Sequence, residues 1–272
     1  MKCFVCGHVS GHTILGSWRE FWPHFGPELD TRSQSRNRLD YRIQTCPFCG
    51  YCAGPLSEAI AGAATIVASP AYKAQLKDTE FPELANRFLC YGMIEEDAGN
   101  FSAAGKARLY AAWACDDLAV LSETRMVDVV LATLIVMLWG ASLGMIKPDR
   151  FKSKRRYDKR ILAAARKCRY EAVELFQRAL DAGQGFTSEA GMEDVILVDL
   201  LRRSDHLGEA LSRCRSGLAR SPELKIRMIL EYELHLIREG DRDRHWLFEA
   251  MGQTREDIIG NRAKPRSQPE GS

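Results

Sequence analysis

Two Cys-x-x-Cys pairs, Cys3/Cys6 and Cys46/Cys49, constrain this chain more than any other feature. They stand in Cys3-Phe4-Val5-Cys6-Gly7-His8 and Cys46-Pro47-Phe48-Cys49-Gly50-Tyr51. Each pair can set two thiolates on one side of a tight turn. The glycine after the second cysteine supplies the positive φ such a turn needs and lets backbone N–H groups face sulfur. Two of these knuckles facing one another close a tetrahedral four-sulfur site, the geometry of structural Zn²⁺. The expected ligands are Cys3, Cys6, Cys46 and Cys49, holding one structural zinc per chain. A closed site leaves no position for substrate. His8 and Cys52 are near enough in sequence to act as alternate ligands or to support the site from outside.

The remaining cysteines, Cys90, Cys115, Cys168 and Cys214, are scattered singly like Cys52, which suits a reducing compartment rather than a disulfide framework. Residues 1–30 contain no apolar signal-peptide core, so a cytoplasmic location is expected. A formal net charge of +2 over 272 residues gives no global polyelectrolyte signature, and any nucleic-acid contact must rest on a local patch. The 39 residues from Gly7 to Thr45 hold an aromatic cluster (Trp18, Phe21, Trp22, Phe25) and then an arginine-rich run. The aromatics read as a mini-core against the metal site. Exposed beside Arg32, Arg36, Arg38 and Arg42, they would read instead as a base-stacking, anion-binding platform.

From Ser57 onward alanine, leucine, glutamate and arginine dominate, and the chain reads as helical. Helices are expected over 57–68, 70–77, 82–97, 101–121, 127–146, 155–182, 190–204, 207–220, 222–239 and 243–251, with Gly, Pro, Asn and Asp at the joins. Ala210, Cys214 and Gly217 before Pro222, and Ala172, Phe176 and Ala179 earlier, give the small-residue spacing of degenerate tetratricopeptide units. An irregular helical bundle is the alternative. The expected fold class is mainly α, a small N-terminal zinc-ribbon-like module followed by an antiparallel, tetratricopeptide-like helical array. The expected division is a metal module over 1–55, a helical body over 56–251 and a disordered tail over 252–272.

Val129 to Ile146 carries no charge over 18 residues and precedes Lys152, Lys154, Arg155 and Arg156 in a run, Lys147 to Arg169, with eleven Lys/Arg against Asp149 and Asp158. The apolar stretch is read as a buried helix or a homo-oligomer interface, with membrane association as the alternative. The basic run is read as a solvated face, with phosphates or lipid headgroups as possible partners. No P-loop, dinucleotide fingerprint, H-E-x-x-H or G-x-S-x-G occurs, and Asp116-Asp117 point about 100° apart on a helix. The reading is non-enzymatic.

The knuckles, together with Leu29-Asp30-Thr31-Arg32, Ala111 to Asp117 and Cys168-Arg169, resemble domain-of-unknown-function family 2225 of bacterial proteins. That resemblance implies a zinc module joined to tetratricopeptide-like helices and assigns no activity. Residues 120–163 depart from it and read as an insertion. The functional expectation is a zinc-binding scaffold or adaptor whose helices meet a protein partner. The alternatives are a nucleic-acid-binding zinc ribbon and a rubredoxin-like site holding one Fe for electron transfer.

Overall fold

The computed structural model describes residues 1–13, 36–138, 148–187, 189–245 and 249–252; of residues 36–38, 120–138, 148–158 and 251 the backbone alone is described. The chain is mainly helical, with eight α-helices and one two-stranded sheet among the described residues. It divides into two compact units, the first holding residues 1–13 and 36–187 and the second residues 189–252 of those described.

In the first unit a 3-10 helix, Arg36–Tyr41, leads into β1 (Gln44–Thr45), which pairs antiparallel with β2 (Cys52–Ala53) around the second knuckle. Then follow α1 (Ala63–Ala68), α2 (Pro70–Leu76), α3 (Glu83–Asp97), α4 (Phe101–Leu138) and α5 (Pro148–Asp181). The start of α2 is written locally. Ser69 accepts the Tyr72 backbone N–H through its side chain at 3.2 Å, and Pro70 occupies the first turn, where its missing N–H costs nothing.

The long helices form an antiparallel stack held by small residues. Gly92 of α3 lies against Ala107 of α4, Phe88 meets Tyr110 edge-on, and Arg169 of α5 reaches back to Asp116 of α4 at 2.5 Å. Gln184, just past α5, closes the far end. Its Nε2 donates to the Gly99 carbonyl at 2.7 Å and its Oε1 accepts the Ser102 N–H at 3.2 Å, one of the donors that a helix start leaves unpaired.

The tightest contact in this stack is at Gly105. A Cβ there would stand 2.7 Å from the ring of Phe176, itself buried and stacked on Phe186 at 4.2 Å. Alanine is the better helix former by about 1 kcal/mol, but overpacking a closed seam costs about 1–3 kcal/mol. Gly105→Ala is therefore expected to lower the urea midpoint of unfolding; a raised midpoint would show that the seam has room.

The helices differ from expectation in four places. The expected helices 101–121 and 127–146 are one helix through Leu138, because residues 122–126 contain neither glycine nor proline to interrupt the ladder; residues 139–146 lie outside the described residues. α5 begins at Pro148 rather than 155, since proline suits a first turn. Residues 57–62 turn before α1 begins, and the described part of 243–251 holds only a short 3-10 turn, Glu249–Met251. No helix among the described residues is long and apolar enough to cross a membrane.

The second unit packs α6 (Met192–Arg203), α7 (Leu207–Ala219) and α8 (Leu224–Glu239). Ala210, Cys214 and Gly217 are buried in the seam, where Gly217 lies against Leu230 and Asp194, and the Cys214 thiol donates to the Leu230 carbonyl at 3.1 Å. Gly240 ends α8 at φ 67°, and the Asp241 N–H returns to the Leu236 carbonyl at 2.9 Å. At the centre lies Arg202, fully buried. Its Nε donates to Glu233 and its NH2 to Asp199, both at 2.7 Å, and its NH1 donates to the carbonyls of Asp241 and Asp243 at 3.1 and 2.8 Å.

Candidate metal centre

The two knuckles have the same backbone. Gly7 N–H donates to the Cys3 carbonyl at 3.0 Å and Gly50 N–H to that of Cys46 at 2.9 Å, while Cys3 N–H reaches His8 O and Cys46 N–H reaches Tyr51 O, each at 2.9 Å. Both glycines adopt the left-handed conformation, φ 72° and 80°. Strand pairing repeats the match, with Lys2 bridging Val9 around one turn and Thr45 pairing Cys52 around the other. Gly50 has a second reason to lack a side chain, because a Cβ would stand 2.8 Å from Leu76.

This pairing brings together Cys3, Cys6, Cys46 and Cys49, whose sulfurs all lie within 4.8 Å of one another. The shortest separations cross between knuckles: Cys3 to Cys49 and Cys6 to Cys46, each 3.6 Å. A tetrahedron with metal–sulfur bonds of about 2.3 Å has edges of about 3.8 Å, so four thiolates so placed are positioned to bind one metal ion. Cys3 and Cys46 are buried, and Cys6 and Cys49 are partly exposed.

The electrostatics follow from that crowding. Burial pushes the Cys3 thiol up against the pull of the Cys6 and Val5 amides. Burial acts the same way on Cys46, but the Cys49 and Phe48 amides and the neighbouring Cys6 and Cys49 thiols outweigh it and bring Cys46 down to about 7. Cys49 is pushed well up, first by burial and then by the three sulfurs it faces. Four thiolates cannot share so small a volume without a cation among them, and a bound divalent ion replaces the protons they otherwise keep.

The two residues expected beside the ligands, Cys52 and His8, both lie outside the four-sulfur group. Cys52 is fully buried and stands outside the four-sulfur group. Its N–H donates to Tyr72 Oη at 3.0 Å, its thiol contacts Thr45 Oγ1 at 3.3 Å, and Tyr72 Oη donates to the Gly50 carbonyl at 2.9 Å, bracing the second knuckle from behind. His8 is exposed and stacks on Phe48 at 4.3 Å, joining the two knuckle tips by their rings. Cysteines that look solitary in sequence are neighbours in space: Cys52 lies close enough to Cys90, and Cys168 to Cys115, to push the Cys90 and Cys115 thiols up. No short spacing announces either pair.

The anion-binding candidates separate. Arg42 lies over the Tyr110 ring at 5.3 Å, with its NH1 3.4 Å from the Tyr110 hydroxyl, so it is engaged by α4. Arg32 and the aromatic cluster Trp18, Phe21, Trp22 and Phe25 lie outside the described residues, as do the side chains of Arg36, Arg38, Lys152, Lys154, Arg155 and Arg156. No family model, curated protein or solved structure matches the chain.

Proposed function

We propose that Cys3, Cys6, Cys46 and Cys49 hold one structural Zn²⁺ and that the protein is a cytoplasmic scaffold or adaptor whose tetratricopeptide-like helices present a surface to a protein partner. The observation that carries this reading is the matched pair of knuckles with four sulfurs within 4.8 Å. All four positions of a tetrahedral ion are supplied by protein, which suits a fold-stabilising role and leaves no site for a substrate. All nine cysteines are free thiols, in keeping with a reducing compartment. The small-residue seam of Ala210, Cys214 and Gly217 supports kinship with helical-repeat packing. The resemblance to the bacterial family rests on the knuckle residues and adds the same scaffold expectation.

A second reading, one iron in the same four sulfurs, is favoured by the two-fold match of the knuckle backbones. Chelation tests the structural role of either metal. Treating the purified full-length protein with a strong chelator is expected to make residues 1–13 and 36–60 cleavable by protease while α6–α8 stays resistant. Uniform resistance after the metal is gone would remove the structural role. A red protein with visible charge-transfer bands would replace zinc by iron.

A further inference from the structure

We propose that the outer face of α5 is a docking surface for the phosphate backbone of a nucleic acid. Ile161, Ala164, Ala165, Cys168, Arg169 and Ala172 are the buried side of this helix. Opposite them Lys159, Arg160, Arg166 and Lys167 are exposed. Only Lys167 of these four meets a carboxylate among the described residues, Glu171 at 4.0 Å.

At 3.6 residues per turn, positions 152, 155, 156, 159, 160, 166 and 167 fall within one sector of about 140°, running about 22 Å along the helix. All seven are Lys or Arg. The only acid between them, Asp158, falls outside the sector, as does Lys154. Arg169, which the linear run counts as a surface cation, is buried against Asp116 and is not part of this face. What remains is a band of seven basic positions on one side of the helix, and each cation that meets a phosphate releases a condensed counterion.

Charge complementarity alone would also admit an anionic bilayer, but the packing argues against it. A helix that lies on lipid inserts an apolar face. The apolar face of α5 packs against α4, and among the described side chains only Leu162, 41% exposed, is a large apolar group at the margin of the basic row. A phosphate polymer needs no insertion.

The test uses the full-length, metal-loaded protein with labelled duplex DNA, labelled single-stranded RNA and phosphatidylglycerol vesicles, from 50 to 200 mM salt. The expected result is nucleic-acid binding that weakens by about 10³–10⁴-fold across that range, as about seven phosphate contacts require. Replacing Lys159, Arg160, Arg166 and Lys167 together by Gln should lower the slope of log affinity against log salt by about three to four, with metal content and circular dichroism unchanged. Glutamate at the same four positions should abolish binding; the glutamine variant keeps the test valid if charge reversal disturbs folding. Absence of binding at 50 mM salt, an unchanged slope in the glutamine variant, or capture by vesicles without nucleic-acid binding would overturn the proposal.

Discussion

Cys46→Ser is expected to abolish metal binding and to unfold the N-terminal module. The substitution removes the sulfur that the Phe48 and Cys49 amides face, and it breaks the 3.6 Å approach to Cys6. Three thiolates would remain with an incomplete coordination sphere. Because a four-thiolate site exists only in the folded module, its binding free energy, about 10–16 kcal/mol in small zinc domains, is folding free energy. Metal content should fall from one ion per chain to near zero, and residues 1–13 and 36–60 should become protease-sensitive. Cys52→Ser is the informative control. Cys52 is as buried as Cys46, but it points to Thr45 and Gly50 rather than into the four-sulfur group. It should keep one metal ion. A Cys46→Ser protein with full metal content and a protected N-terminus would contradict the ligand assignment.

Arg202→Met is expected to destabilise the second unit by about 3–5 kcal/mol. Methionine fills much of the volume but leaves Glu233 and Asp199, both buried, without their cation, and leaves the Asp241 and Asp243 carbonyls without a donor. Amide hydrogen exchange in α6–α8 should accelerate by roughly a hundred- to a few-thousand-fold, the equilibrium factor for that free energy. The pH dependence has a definite sign. Burial pushes the Glu233 carboxyl up, and Arg202 is its chief opponent. Without Arg202 the folded-state value rises further above the unfolded one. A raised carboxyl favours the folded state when protonated, and that contribution is lost as pH rises through the folded value. The variant should therefore be less stable at pH 8 than at pH 5, more steeply than the parent protein. Replacing Asp199, Arg202 and Glu233 together by apolar residues should recover only part of the loss: the buried carboxylates go with the guanidinium that paired them, but the buried Arg203 loses the nearby Glu233 charge.

How much of this was legible depends on the range of the interactions. A knuckle is six residues long, and its chemistry is complete in sequence: two thiols, a glycine with positive φ, and amides that face sulfur. Pairing the two knuckles crosses an interval of 39 residues, but tetrahedral valence supplies the reason for it. Helix ends such as Ser69-Pro70 and Gly240 are written in the same local way. Long-range facts were not readable. Arg169, Arg202 and Arg203 look like surface charge in a linear scan, yet each is buried, and burial brings the Arg203 guanidinium down to about 10. Nothing within a few residues of Cys52 or Cys115 names Cys90 or Cys168 as its neighbour. The helices expected over 101–121 and 127–146 run on as one through residue 138, across the polar residues Ser122-Glu123-Thr124-Arg125. Polarity without glycine or proline does not break a helix.

X-ray absorption spectroscopy of the purified protein tests the central claim most directly, because it identifies the metal and counts its ligands together. The account predicts one zinc per chain with four sulfur neighbours at about 2.3 Å and no light-atom ligand in the first shell. Iron in that shell, a mixed sulfur and nitrogen shell that draws in His8, or no stoichiometric metal at all would contradict it.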